Sequence, residues 1–244
     1  METWIVLPDM HWPYHVPGAV ECVDAVIATV RPDAILMLGD MLDCRSFSKH
    51  PPKTSDEKRG TPWDQDLAGF GEQLKRWRKS TKRVVWLEGN HENRVKRAAL
   101  ESKAIESALP LLLPQRVLRG LFDQWVDYGP AQRFQLARGL YATHGWHEGI
   151  QANRKHLDDC TTFSIMHGHT HSDGHASKRD VESGRTMQAW SFGCLYKPQP
   201  PYIHAPTRWT HGLGVVHVHD GRHQVFGCKI EKGSTILPDG TLIR

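Results

Sequence analysis

Five short clusters along the chain carry carboxylate, amide and imidazole groups and no cysteine: Asp9-Met10-His11, Gly39-Asp40, Gly89-Asn90-His91-Glu92, Thr143-His144-Gly145 and Gly168-His169-Thr170-His171. The last is part of HGHTH, residues 167 to 171, which packs three imidazoles into five positions. With 16 His in 244 residues such a run arises easily by chance, so it gains meaning only beside the other four clusters. Together the donors form a mixed nitrogen and oxygen set that suits Mn²⁺, Fe or Zn²⁺ better than Cu(I) or a structural thiolate zinc. They are too many for one ion. Two ions account for the surplus if a bridging carboxylate holds them roughly 3.5–4 Å apart, a spacing at which they clamp a phosphate and activate a shared water. Asp40, at the tip of a strand, is the natural bridge. If Asp9 and His11 lie in a strand, their spacing of two points both at one ion, and His169 and His171 are spaced the same way.

The elements that must position these clusters follow from hydrophobic periodicity. Trp4 to Leu7, Ala34 to Leu38 and Arg83 to Leu87 read as strands, and each ends just before a polar cluster. Residues 18 to 30 read as a helix, as do 66 to 80, where Leu67, Phe70, Leu74 and Trp77 share a face. A further helix is expected to start near Asn90 or His91, capped by a side-chain acceptor, with Glu92 suiting the positive end of its dipole. Phe134 to Thr143 and Phe163 to Met166 read as strands. Beyond residue 185 the pattern favours antiparallel strands, notably Gly214 to Val218 and Gln224 to Ile230 around the turn Asp220-Gly221. Alternating strands and helices indicate an α/β protein, and open α/β sheets bind ligands beyond the carboxyl ends of their strands. Two segments, 44 to 65 and the proline-rich 196 to 211, read as irregular insertions in one domain spanning 1 to 244.

Composition excludes several classes. Hydrophobic content of 39% and charged content of 24% are ordinary for a globular chain. There is no apolar run of the roughly 18 residues needed to span a bilayer, and the opening METWIVLPDMHWP lacks a basic stretch and cleavage site, so a cytoplasmic location with no membrane partner is expected. Five cysteines, odd in number and never paired as CxxC, indicate neither a disulfide framework nor a thiolate zinc site. The net charge of +4 permits an anionic substrate without naming one.

In these clusters the chain resembles the calcineurin-like metallophosphoesterase superfamily, whose pattern runs DxH, GD, GNH with a following acidic residue, a lone His, and GHxH. All five blocks occur in order between residues 9 and 171. Each is weak alone, and the ordered set is specific. GNHENR and THGW look most like small phage and prokaryotic members. The resemblance implies a two-sheet sandwich flanked by helices, a four-layer αββα arrangement, and a binuclear hydrolase. It implies that Asp9, His11, Asp40 and His171 hold one divalent ion and that Asp40, Asn90, His144 and His169 hold the other. Manganese is the first expectation, with Fe, Zn or Ni as alternatives. It also implies that His91 faces substrate as a general acid or phosphate-binding donor, with a hydroxide bridging the ions attacking phosphorus. Arg94, one helical turn after His91, is a second candidate catalytic group, against the plainer reading of a solvated helix residue.

Other residues admit plainer readings. Asp43 is either a surface turn residue or a carboxylate that orients a ligand histidine. His167 reads as structural. His217 and His219 alternate like a metal pair but have no acidic or glycine-punctuated context, so a strand face is the better reading. The basic run 75 to 83 closes a helix, where cations favour the negative dipole end. The substrate is less legible. Segment 44 to 63 carries Arg45, Lys49, Lys53, Lys58 and Arg59 against Asp56 and Glu57, a candidate lid over an anion, and Tyr196, Tyr202 and Trp209 are candidate base-stacking groups. Three functions stay open at this level. A phosphodiesterase or nuclease on nucleic acid or nucleotides is favoured, a phosphomonoesterase shares the same site, and an inactive binding scaffold is disfavoured because no ligand is missing.

Overall fold

The computed structural model describes residues 1–49, 61–160, 162–199 and 207–244. The first half alternates strand and helix: β1 (Glu2–Leu7), α1 (Pro17–Val30), β2 (Ala34–Met37), α2 (Trp63–Arg78) and β3 (Arg83–Leu87). Three short helices follow, α3 (Asn93–Glu101), α4 (Lys103–Leu112) and α5 (Pro114–Val117), and then β4 (Gln124–Val126). The second half holds β5 (Phe134–Ala137), β6 (Leu140–Thr143), α6 (Ala152–Asp158), β7 (Ser164–His167), β8 (Asp173–Arg179) and β9 (Thr186–Phe192). It ends with β10 (Gly212–His219), β11 (Arg222–Lys229) and the short pair β12 (Thr235–Ile236) and β13 (Leu242–Ile243).

Two sheets stack. The first runs β11-β10-β1-β2-β3-β4 and the second β5-β6-β7-β9-β8. β1, β2, β3 and β4 are mutually parallel, while β10 and β11 close the edge as an antiparallel hairpin. Because both faces of the first sheet are covered at its centre, β1, β2 and β3 are largely apolar, and their period of two sorts side chains between two cores. Ile5, Leu7, Ile35, Met37, Val84 and Trp86 pack toward α1 and α2. Trp4, Val6, Leu36, Val85 and Leu87 pack against Leu140, Ala142, Met166 and Phe192 of the second sheet. On that sheet's outer face Ile165 and Ala189 meet Leu157 of α6, completing the four layers. The expected helical face of Leu67, Phe70, Leu74 and Trp77 is buried in the first core.

Several expectations are corrected. Phe134 to Thr143 is two strands rather than one, since Gly139 at φ 74° turns the chain between Ala137 and Leu140. The second half is less antiparallel than its composition suggests: β6, β7 and β9 run parallel, bordered by antiparallel β5 and β8. The hairpin at Asp220-Gly221 does form, with φ of 48° and 74°, the paired positive values of a tight two-residue loop. His217 lies on β10, its Nδ1 3.1 Å from Thr3 Oγ1, and Lys75, Arg76 and Arg78 occupy the last turn of α2. Of the two irregular segments, residues 50–60 and 200–206 fall outside the described residues, and with them Lys53, Asp56, Glu57, Lys58, Arg59 and Tyr202. No helix among the described residues is long and apolar enough to cross a membrane.

Candidate metal centre

All five clusters arrive at one edge of the stacked sheets. The loops after β1, β2 and β3 carry Asp9 and His11, Asp40, and Asn90 to Glu92, and those after β6 and β7 carry His144, His169 and His171. Since these strands run parallel to their neighbours, their carboxyl ends lie together, which is why side chains so far apart in sequence meet. Period-two geometry is not the reason. Asp9 and His11 lie beyond the end of β1, and His169 and His171 beyond β7. His11, Asp40, His169 and His171 adopt φ of 52°, 51°, 69° and 56°. Left-handed backbone is uncommon for residues other than glycine, and its cost is sustained where the surroundings dictate the conformation.

Two donor groups share Asp40. Donor atoms of Asp9, His11, Asp40 and His171 lie within 4.8 Å of one another, as do those of Asp40, His144 and His169. Asp40 Oδ2 is 3.6 Å from His11 Nε2 and 3.4 Å from His144 Nε2. His11 Nε2 is 3.1 Å from His171 Nε2, which is 3.5 Å from Asp9 Oδ1. Asn90 Oδ1 lies 2.9 Å from both His144 Nε2 and His169 Nδ1. Asn90 therefore joins the second group instead of capping α3, which begins at Asn93 with no side-chain cap.

The donors are held from behind. His144 Nδ1 donates to the Leu38 carbonyl at 2.9 Å, turning Nε2 toward Asp40. His11 Nδ1 faces Asp43 Oδ2 at 3.2 Å, and Asp43 accepts a second bond at 3.0 Å from the Tyr196 hydroxyl. Asp43 is thus the buried orienting carboxylate and not a surface turn residue. The Tyr196 ring stacks on His11 at 4.0 Å and is 1% exposed, so it cannot serve as a base-stacking platform. Trp209 stacks on Tyr196 and meets His171 edge-on at 4.3 Å while lining the open cleft. Glu92 does not serve the α3 dipole. Its Oε2 accepts from the backbone N–H of Asp40 and Gly89 at 3.0 and 2.9 Å, and Oε1 from Leu42 at 2.9 Å, clamping two loops together. Glycine is required at three contacts: a Cβ at Gly39 would sit 2.6 Å from His144 Nδ1, one at Gly89 2.1 Å from Asp40 Oδ1, and one at Gly168 2.5 Å from Asp9 Oδ2.

Electrostatics mark the same spot. Burial opposes the charge on Asp40, yet the charged His144 holds its carboxyl well below the usual range. Burial likewise opposes a charge on His144, and Asp40 overrides it, pushing the imidazole up to about 9. A proton is thus retained where positive charge is wanted. The buried Asp9 Oδ2 has no hydrogen-bond partner among the described residues. An orphaned carboxylate oxygen, two imidazole Nε2 atoms facing each other and a carboxylate shared by three histidines fit a pair of divalent cations.

His91 and Arg94 stand beside this centre. His91 Nδ1 donates to the Asp43 carbonyl at 2.9 Å, and its Nε2 accepts from Arg94 Nη2 at 2.8 Å. Burial, aided by His11 and Arg94, pushes His91 down to about 3. Arg94 also donates to the Asp43 carbonyl at 2.9 Å, so it reaches the centre through His91 instead of lying along the cleft. His167 is buried, bonded to the Gly168 carbonyl and to Asn153 Oδ1. In front of the centre lies a cleft of about 1020 Å³, floored by Asp40, Asn90 and His91 and walled by Glu148 to Arg154 and Arg208 to Thr210.

The family described as calcineurin-like phosphoesterase matches residues 4–173. The gene 54 protein of Mycobacterium phage L5 is 25% identical over 237 residues, covering 90% of this chain and 89% of its own length. The gene 54 protein of Mycobacterium phage D29 is 23% identical over 241 residues, with the same coverage of 90% and 89%. Among solved structures, the phosphoesterase YfcE from E. coli is similar with a TM-score of 0.45 at 16% identity, covering 99% of this chain and 97% of that one.

Proposed function

Because the chain belongs to the calcineurin-like phosphoesterase family and is therefore a hydrolase, we propose that it is a two-cation phosphodiesterase acting on nucleic acid or nucleotides. Asp9, His11, Asp40 and His171 would hold one ion, and Asp40, Asn90, His144 and His169 the other. The observation that carries this reading is Asp40 itself, common to both donor groups. When bound, divalent cations supply the positive charge that activates water and offsets the growing charge on the phosphoryl oxygens, with Mn²⁺ the first candidate.

The chain's own residues do the rest. Asp43 and the Leu38 carbonyl fix the ring orientations of His11 and His144, so that their Nε2 atoms face the centre. His91 gives its Nδ1 proton to the Asp43 carbonyl and takes a hydrogen bond from Arg94, which leaves no proton on Nε2 to pass to a leaving group. Of the two roles open to His91, these bonds disfavour acid transfer: the ring lines the cleft floor, and Arg94 behind it lends the positive charge that would favour a phosphate there. The cleft's size, at the upper end of what a drug-sized ligand occupies, favours a substrate with groups on both sides of the phosphorus. Arg154 and Arg208 line it, and Trp209 offers an aromatic surface for a base. The centre draws on loops from both sheets, which supports residues 1 to 244 working as one domain.

The test is turnover of the Mn²⁺-loaded protein on bis(p-nitrophenyl) phosphate against p-nitrophenyl phosphate, followed by short single- and double-stranded DNA and cyclic nucleotides. A clear diester preference is expected. A strong monoester preference would overturn the diesterase reading in favour of a phosphatase, and no turnover of any ester would overturn catalysis altogether.

A further inference from the structure

A separate group of ligand-type side chains gathers behind the cleft wall and shares no residue with the groups around Asp40 and Asp43. A ring nitrogen of His147, one of His156 and a carboxylate oxygen of Asp159 lie within 4.8 Å of one another. Local sequence explains the convergence. His156 and Asp159 are three residues apart at the end of α6 and so share its face, while the turn through Gly149, at φ 81°, folds His147 back toward them. His147 Nε2 is 2.7 Å from Asp159 Oδ2, which also accepts from Trp146 Nε1 at 3.2 Å.

His156 is poorly served by the protein alone. It is fully buried, its Nδ1 has no hydrogen-bond partner among the described residues, and its Nε2 has only a long 3.4 Å contact from the His147 backbone N–H. Leaving a buried polar atom without a partner is costly, and such atoms call for a ligand or ion. The rim is open, with 27% of the His147 side chain and 45% of the Asp159 side chain exposed, so an ion has a route in and water a place to complete its shell. We infer that His147, His156 and Asp159 bind a further divalent cation of the Zn²⁺ type. Two imidazoles and a carboxylate with one open position form a recognised zinc donor set, and the Trp146 N–H on Asp159 would orient the carboxylate from outside.

Such an ion would tie the turn at 147 to 151 onto α6, and residues Glu148 to Arg154 form one wall of the cleft. Glu148 Oε1 is 3.3 Å from His169 Nε2, so the position of this turn is felt at the centre. The site therefore positions the cleft wall and takes no part in the chemistry.

The experiment is metal stoichiometry by mass spectrometry after the EDTA-stripped protein is reloaded with Zn²⁺ and desalted, comparing wild type with Asp159→Asn and His147→Ala. Both positions are partly exposed, and circular dichroism checks that each variant folds. Each variant is expected to hold one equivalent fewer than wild type. Loading with Co²⁺ should show the visible absorption of a four-coordinate site in wild type, and that band should be lost in both variants. Equal stoichiometry and unchanged Co²⁺ spectra would overturn the inference. The readout is a difference of one ion whatever the total, so failure of the Asp40 reading would lower the baseline without erasing that difference. Activity supplies a second arm: KM for a diester should rise in the variants while kcat changes little.

Discussion

At the scale of residues, the hydrogen bond between Arg94 and His91 decides what either can contribute. An imidazole that donates from Nδ1 and accepts at Nε2 is neutral, and burial keeps it so down to about pH 3. Its service to catalysis is then to line the cleft floor and relay the polarity of the Arg94 guanidinium, which sits behind it. Removing one preorganised donor from such a site costs about 10²–10³ in turnover. His91→Ala is expected to keep the metal content of wild type, measured by mass spectrometry, while kcat on a diester falls by roughly that factor. Loss of metal would instead make His91 a ligand. The types and spacing of the seven candidate ligands were legible in the sequence because metal chemistry restricts residue type more tightly than packing does. Tyr196 and the clamp by Glu92 were not, since each depends on loops from distant parts of the chain crossing at one place.

At the scale of elements, the strand-end loops carry the tightest constraints. A methyl group at Gly89 would lie 2.1 Å from Asp40 Oδ1 and 2.2 Å from its backbone nitrogen, and backbone does not give way. Gly89→Ala is therefore expected to displace Asp40 and strip both ions while the sheets persist, by metal analysis beside circular dichroism. Gly139→Ala, with nothing within 4 Å of its Cβ, should cost only the strain of a left-handed turn, about 1 kcal/mol, with metal content unchanged. Helix α2 carries a different signature. Asp66 in its first turn is 5% exposed, and burial raises its pKa to about 6. An acid whose pKa is raised by folding favours the folded state below its unfolded value near 4, and that contribution is lost as pH rises through about 6. Asp66→Asn should remove this dependence and raise stability at pH 7.5 by about 1 kcal/mol, read from urea midpoints at pH 5 and pH 7.5. The strands and long helices were legible because period two and period 3.6 survive in the apolar pattern. The parallel run of β6, β7 and β9 was not, because short strands buried on both faces carry no mark of direction.

At the scale of the whole molecule, the centre is a seam between two sheets that is held by charge. Asp9, Asp40 and Asp43 are all buried there, and without cations their mutual repulsion is met by neighbouring histidines and, at Asp43, by Arg94 and the Tyr196 hydroxyl. Because the loops come from both sheets, a cation at the seam binds the folded state alone, and its binding energy adds to folding. At a metal concentration about 100 times Kd, one such ion contributes about 2.7 kcal/mol. For a chain of this size that corresponds to a rise in Tm of roughly 5–10 °C. EDTA-stripped protein should therefore melt that much lower than protein reloaded with Mn²⁺, in a calorimetric scan at fixed pH. Asp40→Ala should lose most of the gain, because a single side chain serves both donor groups. A Mn²⁺-dependent shift of equal size in Asp40→Ala and wild type would mean that the stabilising ion sits away from the seam, and that Asp40 bridges nothing.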